Sequence, residues 1–228
     1  TRRSSDLKER DEPVKLDTLT IDIGASSKAE AEKYVSPGDC AYFRSDYTKL
    51  GNGYLREKAL DDRIGCAIMV DILNKNLPYD VTCVFTVQEE IGTRGAKVAA
   101  YTVKPDYAIV LETTTACDFS GNDGEKRVCE LGKGCVVSYM DRSTIYDREL
   151  YRLGFEKAKE INVPCQTKTL VAGGNDSGAI HSSVGGIRTV ALSVPCRYLH
   201  SPSCMIKKSD VQSTAELAYA MYLALAEK

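Results

Sequence analysis

Three stretches, "DVTCVFTV" (80–87), "DYAIVLE" (106–112) and "IRTVALSV" (187–194), are apolar almost without interruption. A strand with one wet face alternates apolar and polar residues; one that is apolar throughout needs cover on both faces. Between and around them run segments with helical spacing, at 63–76, 94–101, 147–161, 176–183 and 209–226, and two further apolar strand patterns at 134–140 and 165–171. Strands sandwiched between helices define an α/β architecture. The last helix carries Ser209 and Gln212 at capping-box spacing and an apolar face of Leu217, Ala220, Met221 and Leu225.

The first quarter of the chain has another character. Residues 1–15 are polar and read as mobile; beginning at Thr1 without a methionine, they read as a cut edge. "LDTLTIDIGA" (16–25) alternates with period two and predicts a half-buried strand. "SSKAEAEKYV" (26–35) predicts a short serine-capped helix, and "SPGD" a turn. Gly51-Asn52-Gly53 predicts a hairpin. Residues 1–57 thus read as a small β-rich module and 58–228 as the α/β domain. With 30 basic and 32 acidic residues, net charge −2, no basic stripe serves nucleic acid or an anionic membrane surface, and no apolar run spans a bilayer. Nine cysteines, scattered without a CxxC pair, read as core thiols of a reducing, cytoplasmic compartment.

Ligand sites of open α/β sheets gather at the carboxyl ends of strands. Here 81–88 runs into Glu89-Glu90, 106–111 ends in Glu112, 187–194 leads through "PCRYL" to His200, and Asp61-Asp62 open the helix before the first of these strands. Each residue has a plain structural reading: Asp61 or Asp62 as a helix cap, Glu112 as a strand terminus, His200 as a surface histidine. Together, three or four converging carboxylates repel and require protons or a cation. A pair of divalent ions held by Asp, Glu and His resolves the repulsion. Adjacent residues of an extended segment point to opposite sides, so one of Glu89 and Glu90 can bind metal while the other acts as general base. Two competitors are weaker. A glycosidase carboxylate pair calls for aromatic sugar platforms, and the chain has no tryptophan and four phenylalanines. A zinc site of Cys196, His200 and Cys204 needs a helix that Pro195 and Pro202 oppose. His181 reads as supporting or solvent-facing.

Five ordered motifs, "KALDDRIGCAIMVDIL", "TVQEEIGTRGA", "IVLETTTACD", "GGNDSGAIH" and "VPCRYLHSP", with "LTIDIGASSKAEAEKYVSPGD" ahead of them, resemble the M42 family of metal-dependent aminopeptidases, some of whose members are labelled endoglucanase. The resemblance implies a three-layer α/β/α catalytic domain, here 58–228, interrupted by a small PDZ-like β domain of which 1–57 is part. It implies two divalent ions (zinc, cobalt or manganese), Asp61 bridging them, Glu90 and His200 on one, Glu112 on the other where the family more often has aspartate, and Glu89 as catalytic base. It further implies short peptide substrates and a tetrahedral homododecamer. The family's remaining ligand, a histidine of an H-x-D motif, has no counterpart here and is expected upstream of Thr1; the alternative is a non-catalytic or single-metal subunit.

Overall fold

The computed structural model describes residues 16–228, so the polar start at 1–15 lies outside it. Two compact units divide between Phe43 and Arg44. In the first, Leu16–Thr18 form a 3-10 turn, and the strand expected over 16–25 does not form: Leu19, Ile21 and Ile23 are exposed and join no ladder. Alternation sets which side chains share a face, but a strand also needs a neighbouring backbone. Helix α1 is a single turn, Lys28–Ala31. The Ser27 hydroxyl accepts from the Glu30 amide, and the Glu30 carboxylate accepts from the Ser26 amide and hydroxyl, reciprocal capping that holds a turn with no buried residue.

The second unit opens with the expected hairpin. Strands β1 (Thr48–Lys49) and β2 (Tyr54–Glu57) pair antiparallel around Gly51–Gly53, where Asn52 and Gly53 take the positive φ values this turn requires. β2 then pairs antiparallel with β7 (Cys204–Lys207), with Glu57 opposite Cys204. This ladder is why residues 44–57, read in sequence with the small module, fall in the larger unit.

The second sheet has the order β3-β6-β4-β5. β3 (Tyr107–Thr115) runs parallel to β6 (Arg188–Cys196), β4 (Cys135–Val137) antiparallel to β6, and β5 (Cys165–Thr167) parallel to β4. β6 is buried along nearly its whole length, as its continuous apolarity requires. Val190, Leu192 and Val194 pack on one face against α2 (Leu60–Leu73), α4 (Arg148–Glu160) and α6 (Lys208–Ala226). Ala191 points the other way, joining Val110, Tyr146 and Ile180 of α5 (Ser177–Ile180). The result is the α/β/α layering expected from the apolar runs. No helix among the described residues is long and apolar enough to cross a membrane.

Two expectations fail. Residues 81–86 form no regular secondary structure and Val87 is a bend, and β3, the natural neighbour for a strand at the edge of the sheet, bonds only β6 among the described residues. Val84, Phe85 and Val87 are left exposed. The Ser209 cap also does not form, because β7 runs directly into α6 and places Ser209 inside the helix.

A different residue of α6 secures the helix start. Asp210 is fully buried, its carboxylate accepting from the amides of Gly132 (2.6 Å) and Gly134 (2.9 Å). Gly134 has φ +85°, and a Cβ there would collide with the Pro164 carbonyl oxygen, so neither the turn nor its partner is free to shift. Asp210→Ala leaves the buried Gly134 amide without an acceptor and should lower unfolding free energy by about 1–3 kcal/mol, the cost of one orphaned group. Denaturant unfolding measures this, and a loss below about 0.5 kcal/mol contradicts the anchoring role.

Candidate metal centre

The first two groups meet beside the antiparallel ladder. Just beyond the Glu57–Cys204 pair, Asp61 in the first turn of α2 and His200 in the turn between β6 and β7 come together. The His200 Nε2 lies 3.1 Å from an Asp61 carboxylate oxygen and 3.3 Å from Glu90 Oε2. Asp61, Glu90 and His200 thereby offer one ligand atom each within 4.8 Å of one another. His200 and Glu90 are more than half exposed, whereas the Asp61 side chain is mostly covered.

A second group shares Asp61. The carboxylates of Asp61, Asp62 and Glu112 also lie within 4.8 Å of one another. Glu112 arrives on β3, opposite Ser193 of β6, and its Oε1 accepts from the Thr113 amide. Asp61 and Asp62, joined by a cis peptide, depart from helical φ and ψ at the start of α2. Asp62 turns its carboxylate onto the Gly65 amide (3.0 Å) and serves as the helix cap. A Cβ at position 65 would sit about 2.1 Å from Asp62 Oδ2, so the cap needs this glycine.

Glu89 and Glu90 sit on a tight turn ahead of α3 (Arg94–Val103). The Glu89 carbonyl accepts from the Gly92 and Thr93 amides, the Val87 carbonyl from Gly95. Gln88 takes φ 61°. Gly95 permits this approach, because a Cβ there would meet the Val87 backbone at 2.5 Å.

The chemistry of the donors fits divalent cations. Burial, together with the neighbouring acids, raises Asp62 to about 8 against the pull of the Gly65 amide. Burial, then Asp176, Glu90 and Asp61, raises Glu89 to about 7, with His200 opposing. Burial and the two aspartates push Glu112 well above the carboxylate range. Acids crowded until they retain protons near neutrality, next to an imidazole, are a site that gains by exchanging protons for metal. Zinc, cobalt and manganese all suit oxygen and imidazole donors. A cavity of about 1070 Å³ opens beside Asp61, Glu89 and Glu112, walled by apolar residues of α2, α3 and β3.

All five residues singled out in the sequence, Asp61, Glu89, Glu90, Glu112 and His200, therefore reach one edge of the fold. Cys196, His200 and Cys204 do not form a helical face: they are divided by the end of β6 and the start of β7, and both thiols are turned to backbone carbonyls. His181 belongs to neither group, its Nδ1 lying 2.8 Å from the Ser177 carbonyl oxygen. Asp176, buried and beside Glu89, was not foreseen; its signal was a carboxylate in the glycine-rich turn "GGNDSG".

Comparison with known proteins gives the same direction. The profile of the family described as "M42 glutamyl aminopeptidase" matches residues 3–217. The "Lysyl aminopeptidase" of Pyrococcus furiosus is 33% identical over 220 residues, covering 95% of this chain and 62% of that protein. The TET aminopeptidase structure from a marine sediment Thaumarchaeota archaeon superimposes with a TM-score of 0.90 at 32% identity, over 94% of this chain and 62% of the other. The Pyrococcus horikoshii TET1 peptidase, described as assembling into a tetrahedron or a large octahedral shell, gives 0.76 at 33% identity, over 90% and 59%. The chain spans 60–62% of the length of the first curated relatives it matches. The chain belongs to the M42 glutamyl aminopeptidase family.

Proposed function

We propose that the protein is a two-metal aminopeptidase that removes N-terminal residues from short peptides. The observation that carries this reading is that Asp61 is common to two donor groups, one completed by Glu90 and His200 and one including Glu112. In this reading Asp61 would contribute to both ion sites, Glu90 and His200 would hold one ion and Glu112 the other. Divalent ions held there would supply Lewis-acid polarisation of a scissile carbonyl and a lowered pKa for water. Glu89 accepts a proton from the attacking water as its oxygen bonds to the carbonyl carbon. As the C–N bond breaks, Glu89 returns that proton to the nitrogen of the departing amine. Before cations bind, burial and then the neighbouring acids raise Glu89 to about 7.

Membership of the family and the assembly described for TET1 support self-association into a closed shell, a tetrahedral dodecamer. The near-neutral charge and the scattered free cysteines are consistent with a cytoplasmic protein whose partners are peptides and its own copies.

Glu89→Gln in the whole protein tests the base directly. Hydrolysis of aminoacyl-p-nitroanilides should fall by about 10²-fold or more, while elemental analysis still finds two ions per chain. Normal turnover in this variant removes the assignment; one ion or none in the active wild-type protein removes the two-metal reading.

Acid crowding makes a second forecast. A carboxyl group with a raised folded-state value holds more protons folded than unfolded, so its contribution to stability falls as pH rises between the two values. Asp62 rises from 3.8 to about 8 and Glu89 from 4.5 to about 7, which sets the window at roughly pH 4 to 8. Metal-free protein is thus penalised as pH rises, and cations remove the penalty. The gain in melting temperature on adding excess Mn²⁺ should be larger at pH 8 than at pH 5; an equal or smaller gain at pH 8 counts against the crowded site.

A further inference from the structure

The segment that delivers Glu89 and Glu90 has few fixings. Residues 81–87 join no ladder among the described residues, and the backbone bonds at its end come from its own continuation, Arg94 to Gln88 and Gly95 to Val87. Val87 is 66% exposed. Its side chains make one hydrogen bond among the described residues, and that bond goes to a distant part of the chain. The hydroxyl of half-buried Thr86 donates to Asp176 Oδ2 at 2.5 Å, across 90 residues of sequence.

The far end of this bond is well held. Asp176 is only 7% exposed and stands at the start of α5, where its carbonyl accepts from Ala179 and Ile180. The preceding Asn175 accepts from the Ser177 amide and donates to the Tyr146 hydroxyl, which in turn donates to Asp141. Asp176 Oδ1, however, has no hydrogen-bond partner among the described residues and is buried on the wall of the cavity that Glu89 also lines. Burying a carboxylate with half its acceptor capacity unmet is costly, and the fold of α5 draws nothing from this side chain, which caps no helix amide. What the side chain does hold is Thr86, three residues before Glu89.

We propose that Asp176 is a positioning residue for Glu89, acting through the Thr86 hydroxyl to fix against α5 the segment 81–87, which joins no ladder among the described residues. This rests on the reading of Glu89 as general base. A proton-transfer group must stay within hydrogen-bond reach of the water it serves, and a displacement of about 1 Å can cost on the order of 10²-fold in rate. The Thr86–Asp176 bond supplies that constraint from a platform that does not itself touch the reacting atoms.

Thr86→Val, which keeps the shape and removes the donor, should lower kcat of the whole protein by about 10- to 100-fold with KM within about twofold. Mn²⁺ uptake, followed by calorimetry, should be unchanged. In metal-free protein, hydrogen exchange of the amides of residues 92–95, which donate to the Glu89, Gln88 and Val87 carbonyls, should quicken. Thr86→Ser, which restores the donor, should return exchange and at least half of kcat, and Asp176→Asn, which keeps an acceptor, should resemble Thr86→Ser. The proposal is overturned if Thr86→Val keeps kcat within twofold, if it loses kcat with exchange unchanged, or if the conservative variants lose as much as it does. Glu89→Gln measured alongside separates the two readings: an active Glu89→Gln removes the base, and with it what Asp176 would position, whereas an inactive Glu89→Gln beside an unimpaired Thr86→Val removes the positioning alone.

Discussion

Like charge in a confined space is the constraint from which the rest of this site follows. Asp61, Asp62, Glu89, Glu90, Glu112 and Asp176 are drawn to one end of the fold with a single imidazole, His200, to oppose them. Two unit charges about 4 Å apart repel by roughly 4 kcal/mol at an effective dielectric of 20, a scale comparable with the whole stability of many domains. Such a cluster persists only by holding protons or by holding cations. The raised values of Asp62, Glu89 and Glu112 describe the first state, and the two donor groups that share Asp61 describe the chemistry of the second.

The scaffold that imposes this crowding lies well behind it. β6 is buried on both faces and fixes β3, so that Glu112 has a set height opposite Ser193. The smaller sheet supports the other half, because β2 leads into the α2 turn that carries Asp61 and β7 follows the turn that carries His200. Asp210 then locks the start of α6, directly after β7, to the turn at Gly132–Gly134. Each acidic group is thus placed by hydrogen bonds and packing that are indifferent to its charge, and the repulsion is borne by the scaffold.

Continuous apolarity was a dependable guide where both faces of the strand found cover, as in β6. It was misleading at 81–87, because the pattern reports a need for neighbours and the described residues supply none. Period-two alternation at 16–25 failed for the same reason. Glu89, Glu90, Glu112 and His200 were legible because they follow apolar runs, a position where side-chain identity and sheet geometry are coupled, and Asp61 because it opens the helix ahead of them. Asp176 and Thr86 were not legible, since their bond joins a polar residue within an apolar run to a glycine-rich turn 90 residues away. Asp61 or Asp62 read as a helix cap; the Asp62 carboxylate within reach of the Gly65 amide makes Asp62 the cap, and it also stands among the crowded acids.

The two adjacent acid pairs illustrate one physical rule with two outcomes. Neighbouring side chains on a backbone that is not helical cannot point the same way. At 61–62 the backbone leaves helical geometry, and Asp61 meets His200 while Asp62 folds back on its own helix. At 89–90, after the left-handed Gln88, Glu90 meets His200 and Glu89 lies beside Asp176, in the cavity wall. In both pairs one carboxylate joins the exposed donor group with the imidazole, and the other is turned into a more enclosed setting that raises its proton affinity. Separate environments give chemically identical neighbours separate tasks, so exchanging the roles within either pair would require rebuilding the backbone that holds it.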